Sequence, residues 1–168
     1  LRRADDGRFA LGLHLVALGR AAAEQFPLAT VARPAMAALR DATGESVQLY
    51  VRDGESRVCV AALESPHGLR TIVAVGAALP MDVGSAGRVL SGEVPAEPSA
   101  TGASWLQTVG EREPGVASVS APVRDSTGEV VAAISVSGPI DRMGRTPGRT
   151  HGASVLSAAA EVEAALTT

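Results

Sequence analysis

The sequence contains a single cysteine, Cys59, in its 168 residues. One cysteine excludes an internal disulfide framework and any CxxC metal or redox motif. Aromatic residues make up only 2% of the chain although apolar residues make up 46%, so the core has to be built from valine, leucine, alanine and isoleucine. An aliphatic core of this kind is suited to a sheet covered by helices.

Long apolar runs are also missing. No stretch of about 18 consecutive apolar residues occurs, so the sequence offers no candidate membrane span. The chain does not open with the basic, apolar and small-residue pattern of a signal segment. We therefore expect a cytoplasmic location and no membrane partner.

A strong charge of either sign is absent as well. The formal net charge is −3, and all 15 basic residues are arginines. Acidic and basic residues are interspersed, so this chain has no electrostatic footprint for nucleic acid. If the whole protein binds DNA, a part outside this sequence must do so.

Motifs that carry catalysis are not found either. The sequence contains no GxSxG, HExxH, Walker or GxGxxG pattern. The three histidines, His14, His67 and His151, lack metal-ligand spacing. Cys59 falls within a predicted strand, with no base adjacent in the sequence to activate it. We predict a protein that is not an enzyme, with no catalytic residue, no metal and no cofactor.

Two amphipathic helices are predicted near the start of the chain. The first, from about Gly12 to Gln25, rests on apolar residues at helical spacing, namely Leu11, Leu15, Leu18 and Ala22. A second apolar stripe over residues 28–39 predicts another helix, with Gly44 as its stop. Pro34 is expected either to kink this helix or to mark its first turn.

The pattern then changes to the two-residue period of strands. A hairpin is predicted from residues 47–51 through the Asp53-Gly54 turn to residues 58–63. Further strands are predicted at residues 69–73, 105–109, 118–124 and 130–136, and a loop at 141–150. Ser85 is placed to cap a short helix, and a last helix follows the loop. This order predicts an α+β fold with a mainly antiparallel sheet of about six strands flanked by helices.

Two patterns are compatible with a binding site. Gly84-Ser85-Ala86-Gly87 stands at a predicted helix start, where free N–H groups and the helix dipole favour a carboxylate or another anion. The alternative is that Ser85 only caps the helix and the glycines only turn the chain. Ser135 and Ser137 lie two apart in a strand and face one side, which is either a pocket wall or a solvent face. Ser118 carries the same ambiguity.

Several segments, in order, resemble the IclR family of bacterial transcriptional regulators. Residues 7–12 resemble the segment that leaves the family's winged-helix domain, and residues 43–46 resemble the turn into its first effector-domain strand. Residues 85–88 match the middle signature of the family. The later signature is the most specific, and it consists of Glu111 and of residues 115–118, 121–123 and 132–139. Residues 110–115 and 142–151 are closest to an actinobacterial branch similar to regulators of leucine and other amino-acid biosynthesis.

The resemblance implies a GAF-like (profilin-like) effector-binding domain. It divides the chain into a remnant of the winged-helix wing (residues 1–11), a linker helix (12–26) and the effector-binding domain (27–168). Residues 92–104 are expected to be disordered or truncated, because the family's segment there is longer. By position, the effector-binding residues are Ser85, Ala86, Gly87, Glu111, Ser118, Ser135 and Ser137.

The resulting hypothesis is a ligand-sensing and oligomerisation domain, assembled as a homodimer or homotetramer. A small metabolite, for which a carboxylate is expected, would control DNA binding by an N-terminal winged helix-turn-helix that lies outside this sequence. Two alternatives stay open, a GAF-type sensor module of another signalling protein and an oligomerisation domain without a ligand. A small hydrolase or transferase on the same fold is disfavoured, because no nucleophile–base pair is visible.

Overall fold

The computed structural model of the chain describes residues 2–3, 7–10, 12, 14–25, 27–93 and 104–167. A two-stranded antiparallel ribbon of β1 (Arg2–Arg3) and β2 (Phe9–Ala10) comes first. The rest of the predicted wing remnant, at residues 1, 4–6 and 11, lies outside the described residues. So do residues 94–103, which form most of the segment that was expected to be disordered or truncated.

Two consecutive helices follow the ribbon, α1 (His14–Gln25) and α2 (Pro27–Thr43). Pro27 suits the first turn of α2, where its missing N–H would have no partner in any case. Pro34 lies inside α2, so the expectation that it marks the first turn is wrong. After Thr43, the φ of Gly44 is +70°, a left-handed conformation that ends a helix and that glycine adopts without a steric penalty. The second predicted helix is confirmed, and its buried stripe consists of Leu28, Ala32, Ala35, Met36 and Leu39.

A single six-stranded antiparallel sheet forms the centre of the fold. Its strands are β3 (Ser46–Asp53), β4 (Ser56–Leu63), β5 (Ala78–Pro80), β6 (Leu106–Val109), β7 (Val116–Arg124) and β8 (Val130–Pro139). They lie side by side in the order β5–β4–β3–β8–β7–β6. The predicted α+β class, with a mainly antiparallel sheet of this size flanked by helices, is confirmed.

Alternate residues of the central strands face two different layers. One face packs under α2 and α5 (Pro147–Leu166) in the larger aliphatic core, to which β7 contributes Ala117, Val119, Ala121 and Val123. The other face lies under α3 (Ser85–Leu90), where a smaller core includes Tyr50, Cys59, Ala86 and Val89. The two-residue period therefore places the serines of β7 and β8 on the α3 side of the sheet.

Two predicted segments differ from the structure. Residues 69–73 form no strand: Ser46 Oγ donates a hydrogen bond of 2.6 Å to the Thr71 carbonyl, and β5 takes the edge position beside β4. The loop predicted at 141–150 is largely helical, since it contains α4 (Ile140–Met143) and the start of α5. Its glycines and prolines indicate a loop, yet Pro147 stands in the first turn of α5, where a proline removes no helical hydrogen bond.

Candidate functional site

A partly enclosed cavity lies between α3 and the serine-bearing face of the sheet. Its volume is about 30 Å³. A cavity of this size holds about one or two water molecules or one small polar group. Most of the lining side chains are polar, and the full set is Gln48, Tyr50, Arg57, Gly84, Ser85, Ala86, Thr108, Arg112, Glu113, Val116, Ser118, Ser135 and Ser137.

Most of the residues predicted to bind an effector meet at this cavity. Those that line it are Ser85, Ala86, Ser118, Ser135 and Ser137, whereas Gly87 and Glu111 do not. Ser135 is 3% exposed and Ser137 is 5% exposed, so the solvent-face alternative for these two serines is wrong. Ser137 donates a hydrogen bond of 2.9 Å to Oε1 of the buried Gln48 side chain.

Hydroxyl groups form a continuous hydrogen-bonded chain on this face of the sheet. Ser85 Oγ lies 2.7 Å from Ser118 Oγ and 2.7 Å from Ser120 Oγ. Thr108 Oγ1 lies 3.0 Å from Ser118 Oγ, and Ser120 donates to Ser135 Oγ at 2.9 Å. The strand register makes Thr108 a direct neighbour of Ser118, and Ser120 a direct neighbour of Ser135. The sheet therefore sets the spacing of the hydroxyl groups on its strands, and α3 supplies the middle hydroxyl, that of Ser85.

The chain of hydroxyl groups has a direction, because each hydroxyl group has only one hydrogen to donate. Ser120 uses its hydrogen on Ser135, so it accepts from Ser85. Ser85 then accepts from Ser118, which in turn accepts from Thr108. Every donor points toward Ser135, which lines the cavity.

The backbone N–H groups at the start of α3 already donate hydrogen bonds to side chains of the protein itself. Glu111 Oε2 accepts from the Gly84 N–H at 3.0 Å, and Thr108 Oγ1 accepts from the Ser85 N–H at 3.2 Å. Gly84 is the N-cap residue, while the Ser85 hydroxyl belongs to the hydroxyl chain, so the prediction that Ser85 caps α3 is wrong. Glu111 Oε1 also accepts from Arg88 at 3.0 Å. Glu111 therefore provides a built-in negative charge at the helix start, where the dipole favours one.

Arg57 of β4 borders the cavity and was not singled out from the sequence. It is 2% exposed, and its Cζ lies 5.4 Å from the centroid of the Tyr50 ring. Its Nη1 donates to the carbonyl oxygens of Pro80 and Val83, the second at 2.8 Å. Among the described residues, no carboxylate lies within 4.0 Å of this guanidinium, and its buried Nε has no hydrogen-bond partner. The available signal was its position two residues before the buried Cys59, on the same side of the strand.

Two glycines of the predicted site make room for this guanidinium. A Cβ atom on Gly87 would meet the Met81 carbonyl oxygen first and would lie 2.5 Å from Arg57 Nη1, and one on Gly84 would lie 3.3 Å from Nη2. Gly84 also has a φ of +80°, in the left-handed region that favours glycine. Gly87 thus contributes space for the Met81 carbonyl and for Arg57 rather than a wall of the cavity.

Positive charge prevails among the ionisable groups that line the cavity. Arg112 pairs with Glu113 at 3.3 Å, and the Glu113 side chain is 57% exposed. Burial lowers the pKa of Arg57 below its ordinary value and the charge of Arg112 lowers it further, whereas Tyr50 and Asp82 act in the opposite direction. Burial and the charge of Arg112 disfavour the isolated cation, so a negative charge placed in the cavity would be stabilised.

No cluster of three or more histidine, cysteine, aspartate or glutamate side chains suited to a metal ion occurs in the described part of the chain. None of the helices in the described ranges has the length and apolar character needed to cross a membrane.

Comparison with known proteins extends these observations. The model of the family described as "Bacterial transcriptional regulator IclR C-terminal" matches residues 20–108 and 99–164. The chain is 30% identical over 97 residues to the HTH-type transcriptional regulator KipR of Bacillus subtilis, a match that covers 58% of this chain and 39% of KipR. It is 26% identical over 191 aligned positions to the HTH-type transcriptional repressor AllR of Klebsiella pneumoniae, covering 95% of this chain and 70% of AllR.

A solved structure shows the same fold. The chain superposes with a TM-score of 0.73 and 29% identity on a transcriptional regulator of the IclR family from Rhodococcus sp., covering 97% of this chain and 73% of that one. The matched relatives are transcriptional regulators rather than enzymes. The family model covers most of the sequence, which confirms the resemblance found in its motifs. The chain belongs to the family of bacterial IclR transcriptional regulators, through the C-terminal domain of that family.

Proposed function

We propose that this chain is the ligand-sensing domain of its regulator and that the cavity under α3 is the effector site. The observation that carries the proposal is the directed hydroxyl chain that ends at Ser135, in the same cavity as the buried guanidinium of Arg57. Buried polar groups cost stability unless they are hydrogen-bonded, so an apolar layer would serve folding better. A polar layer between a helix and a sheet therefore favours a binding role.

The proposed effector is a small polar metabolite with acceptor oxygens. The cavity holds about 30 Å³, far below the roughly 300–1,000 Å³ of pockets that enclose larger ligands. A ligand of more than a few heavy atoms would have to move α3 or the loop at residues 110–115 away from the sheet. Such a movement gives the two arrangements that a sensor needs, provided that the ligand binds one of them better.

DNA binding would belong to a winged helix-turn-helix on the N-terminal side, with α1 as the connecting helix. KipR and AllR are both named as HTH-type regulators, which supports this arrangement. A coupling of about 1–3 kcal/mol between effector and operator would change operator affinity about 5- to 150-fold. The similarity of residues 110–115 and 142–151 to regulators of amino-acid biosynthesis makes amino acids and their 2-oxo acids the first candidate effectors.

We further propose that the regulator is cytoplasmic and works as a dimer or tetramer without catalytic activity. Leu15 and Leu18 on α1 are 45% and 64% exposed, and Phe9 in β2 is 70% exposed. Leu15 and Leu18 lie three residues apart and so share a helix face, and exposed apolar side chains grouped in this way favour a protein–protein contact. The alternative, an oligomerisation domain without a ligand, would account for these side chains but leaves the polar cavity without a role.

A thermal-shift screen against amino acids, 2-oxo acids and aromatic acids tests the proposal. A ligand at about 100 times its Kd adds roughly 2.7 kcal/mol to the free energy of unfolding. For a domain of this size, we expect the melting temperature to rise by about 5–10 °C. The Ser135→Ala variant should lose most of this shift, whereas Ser157→Ala, at an exposed position of α5, should keep it.

Two results would contradict the proposal. A flat screen with folded, oligomeric protein would favour the oligomerisation domain. Equal operator binding by the full-length regulator with and without a bound metabolite would show that the cavity does not control DNA binding.

A further inference from the structure

We propose that Arg57 binds the negative charge of the effector, so that the cavity selects a carboxylate over a neutral molecule of the same shape. This inference rests on the proposed function, since it takes the cavity under α3 as the effector site. It assigns the recognition of charge to a strand residue rather than to the start of α3.

Arg57 is a buried cation that forms no ion pair with a carboxylate of the described residues. It is 2% exposed, its contacts are two carbonyl oxygens and the Tyr50 ring, and its Nε has no partner. Charged groups that are fully buried are normally paired, because an isolated charge is costly to remove from water. The missing partner is therefore expected in the cavity that Arg57 lines.

A purely structural role explains only part of this geometry. Nη1 holds the loop before α3 through the carbonyls of Pro80 and Val83. A guanidinium has five N–H donors, and those two bonds leave the Nε hydrogen unused. Position 87 is glycine, and a Cβ atom there would crowd both the Met81 carbonyl oxygen and Arg57 Nη1, the second at 2.5 Å. These features hold the guanidinium in place with donor capacity to spare.

None of the carboxylates in the described residues forms an ion pair with Arg57, although the charge of Asp82 acts on it from beyond 4.0 Å and raises its pKa. Glu111 lies outside the cavity wall and is bound to Arg88 and to the Gly84 N–H. Glu113 lines the cavity but pairs with Arg112 at 3.3 Å. With the Ser135 hydroxyl as a further donor, the lining offers N–H and O–H groups to the oxygens of a carboxylate.

The test compares three carboxylates with their neutral amides on the intact chain. Acetate, oxalate and succinate are titrated beside acetamide, oxamide and succinamide by calorimetry, with wild type and with Arg57→Gln. For a charge-assisted hydrogen bond, we expect wild type to bind the carboxylates about 10- to 100-fold more tightly than the amides. Arg57→Gln should remove this preference and leave the amide affinity within about threefold.

Arg40→Gln is the control, because it removes an arginine of α2, outside the cavity, that already has a partner in Asp41. It should lower carboxylate affinity by less than about threefold, as expected for a solvent-screened pair. Equal loss of carboxylate and amide binding in Arg57→Gln would overturn the proposal, since it would show a structural role only. If Arg57→Gln does not fold, the wild-type comparison decides, and equal affinity for the two series overturns the proposal.

The outcomes also separate this inference from the proposed function. In one outcome, wild type shows no preference for carboxylates over amides, yet Ser135→Ala weakens amide binding. This result would support the effector site and overturn the role of Arg57. Absence of binding in both series and in the metabolite screen would overturn the effector site itself, and the role of Arg57 with it.

Discussion

Arg142 and Glu45 form a bidentate ion pair that joins α4 to the chain just before β3. Arg142 Nε donates to Glu45 Oε1 at 2.6 Å, and Nη2 donates to Oε2 at 2.8 Å. The Glu45 side chain is only 4% exposed, while that of Arg142 is 31% exposed. Nη2 also donates to the Leu69 carbonyl at 2.8 Å. One guanidinium therefore connects three parts of the chain that are distant in sequence.

Replacement of Arg142 tests the importance of this connection. Arg142→Gln leaves the Glu45 carboxylate buried without its cation, which should lower the free energy of unfolding by about 2–3 kcal/mol. The partial exposure of Arg142 keeps the loss at the lower end of the range for buried pairs. Urea denaturation measures the change. Arg40→Gln is the control, because its partner Asp41 is 67% exposed, and its effect should stay below about 0.5 kcal/mol. Similar losses in both variants would contradict the prediction.

Trp105 packs against two glycines of α5, which gives a second prediction. A Cβ atom on Gly148 would lie 2.6 Å from Trp105 Cε3, and one on Gly152 would lie 2.7 Å from Cε2. Gly152→Ala gains about 1 kcal/mol of helix propensity, but the overlap with a rigid ring should cost more than that gain. We expect a net loss of about 1–2 kcal/mol in urea denaturation. The emission of the only tryptophan should change as the ring is displaced.

A matched substitution separates packing from propensity. Gly19 in α1 has nothing within 4 Å of its ideal Cβ position. Gly19→Ala should therefore be neutral or stabilising by up to about 1 kcal/mol. A stabilised Gly152→Ala variant with unchanged emission would show that the contact with Trp105 is not tight.

The sequence predicts those elements whose burial repeats along the chain. The predictions of α2 and β7 are correct because the apolar residues of these elements recur at the helical and the strand period, respectively. The strand predicted at residues 69–73 is wrong because that segment is held by hydrogen bonds to distant residues, among them the bond from Ser46 Oγ to the Thr71 carbonyl. Local pattern carries no information about such partners.

The residues of the candidate site also fall into two groups, those that the sequence pattern predicts and those that only the tertiary structure shows. Alternation along β8 placed Ser135 and Ser137 on one face, but only the position of α3 shows that this face is buried. Arg57 was missed because its burial depends on the carbonyls of Pro80 and Val83, which lie 23 and 26 residues further along the chain. The role of Glu111 depends equally on tertiary structure, since its partner Gly84 is 27 residues away.

The hydroxyl chain predicts that Ser85 and Ser120 act as a unit. Ser85→Ala leaves the Ser118 hydrogen without an acceptor and Ser120 without a donor, so we expect a loss of about 1–2 kcal/mol. Ser120→Ala breaks the same chain one step later. In urea denaturation, the double variant should therefore lose less than the sum of the single losses, by about 0.5–1 kcal/mol. Strictly additive losses would show that the hydroxyl groups act independently.

The stability of the fold should fall at alkaline pH. Burial raises the pKa of the Cys59 thiol from 9.0 to about 11, and it raises the pKa of Tyr50 from 10.0 to about 12. Between these values the unfolded chain has released protons that the folded chain still binds, so stability decreases as pH rises. The stability that these two protonated side chains contribute is fully present below pH 9. Deprotonation of Cys59 in the unfolded chain accounts for the loss from pH 9 to 11, and Tyr50 adds to the loss above pH 10.

Urea denaturation at a series of pH values measures this loss. Two units of pKa correspond to roughly 2–3 kcal/mol for each group, and Tyr50 contributes only part of its share by pH 11, so wild type should lose roughly 3 kcal/mol between pH 8.5 and pH 11. Cys59→Ala is less stable at every pH because it leaves a small cavity, but it should show almost no further loss from pH 9 to 10. Tyr50→Phe should keep the loss in that interval and lack the additional loss above pH 10. Parallel curves for wild type and Cys59→Ala from pH 9 to 10 would mean that another group titrates there, and that the thiol is not held in its neutral form by burial.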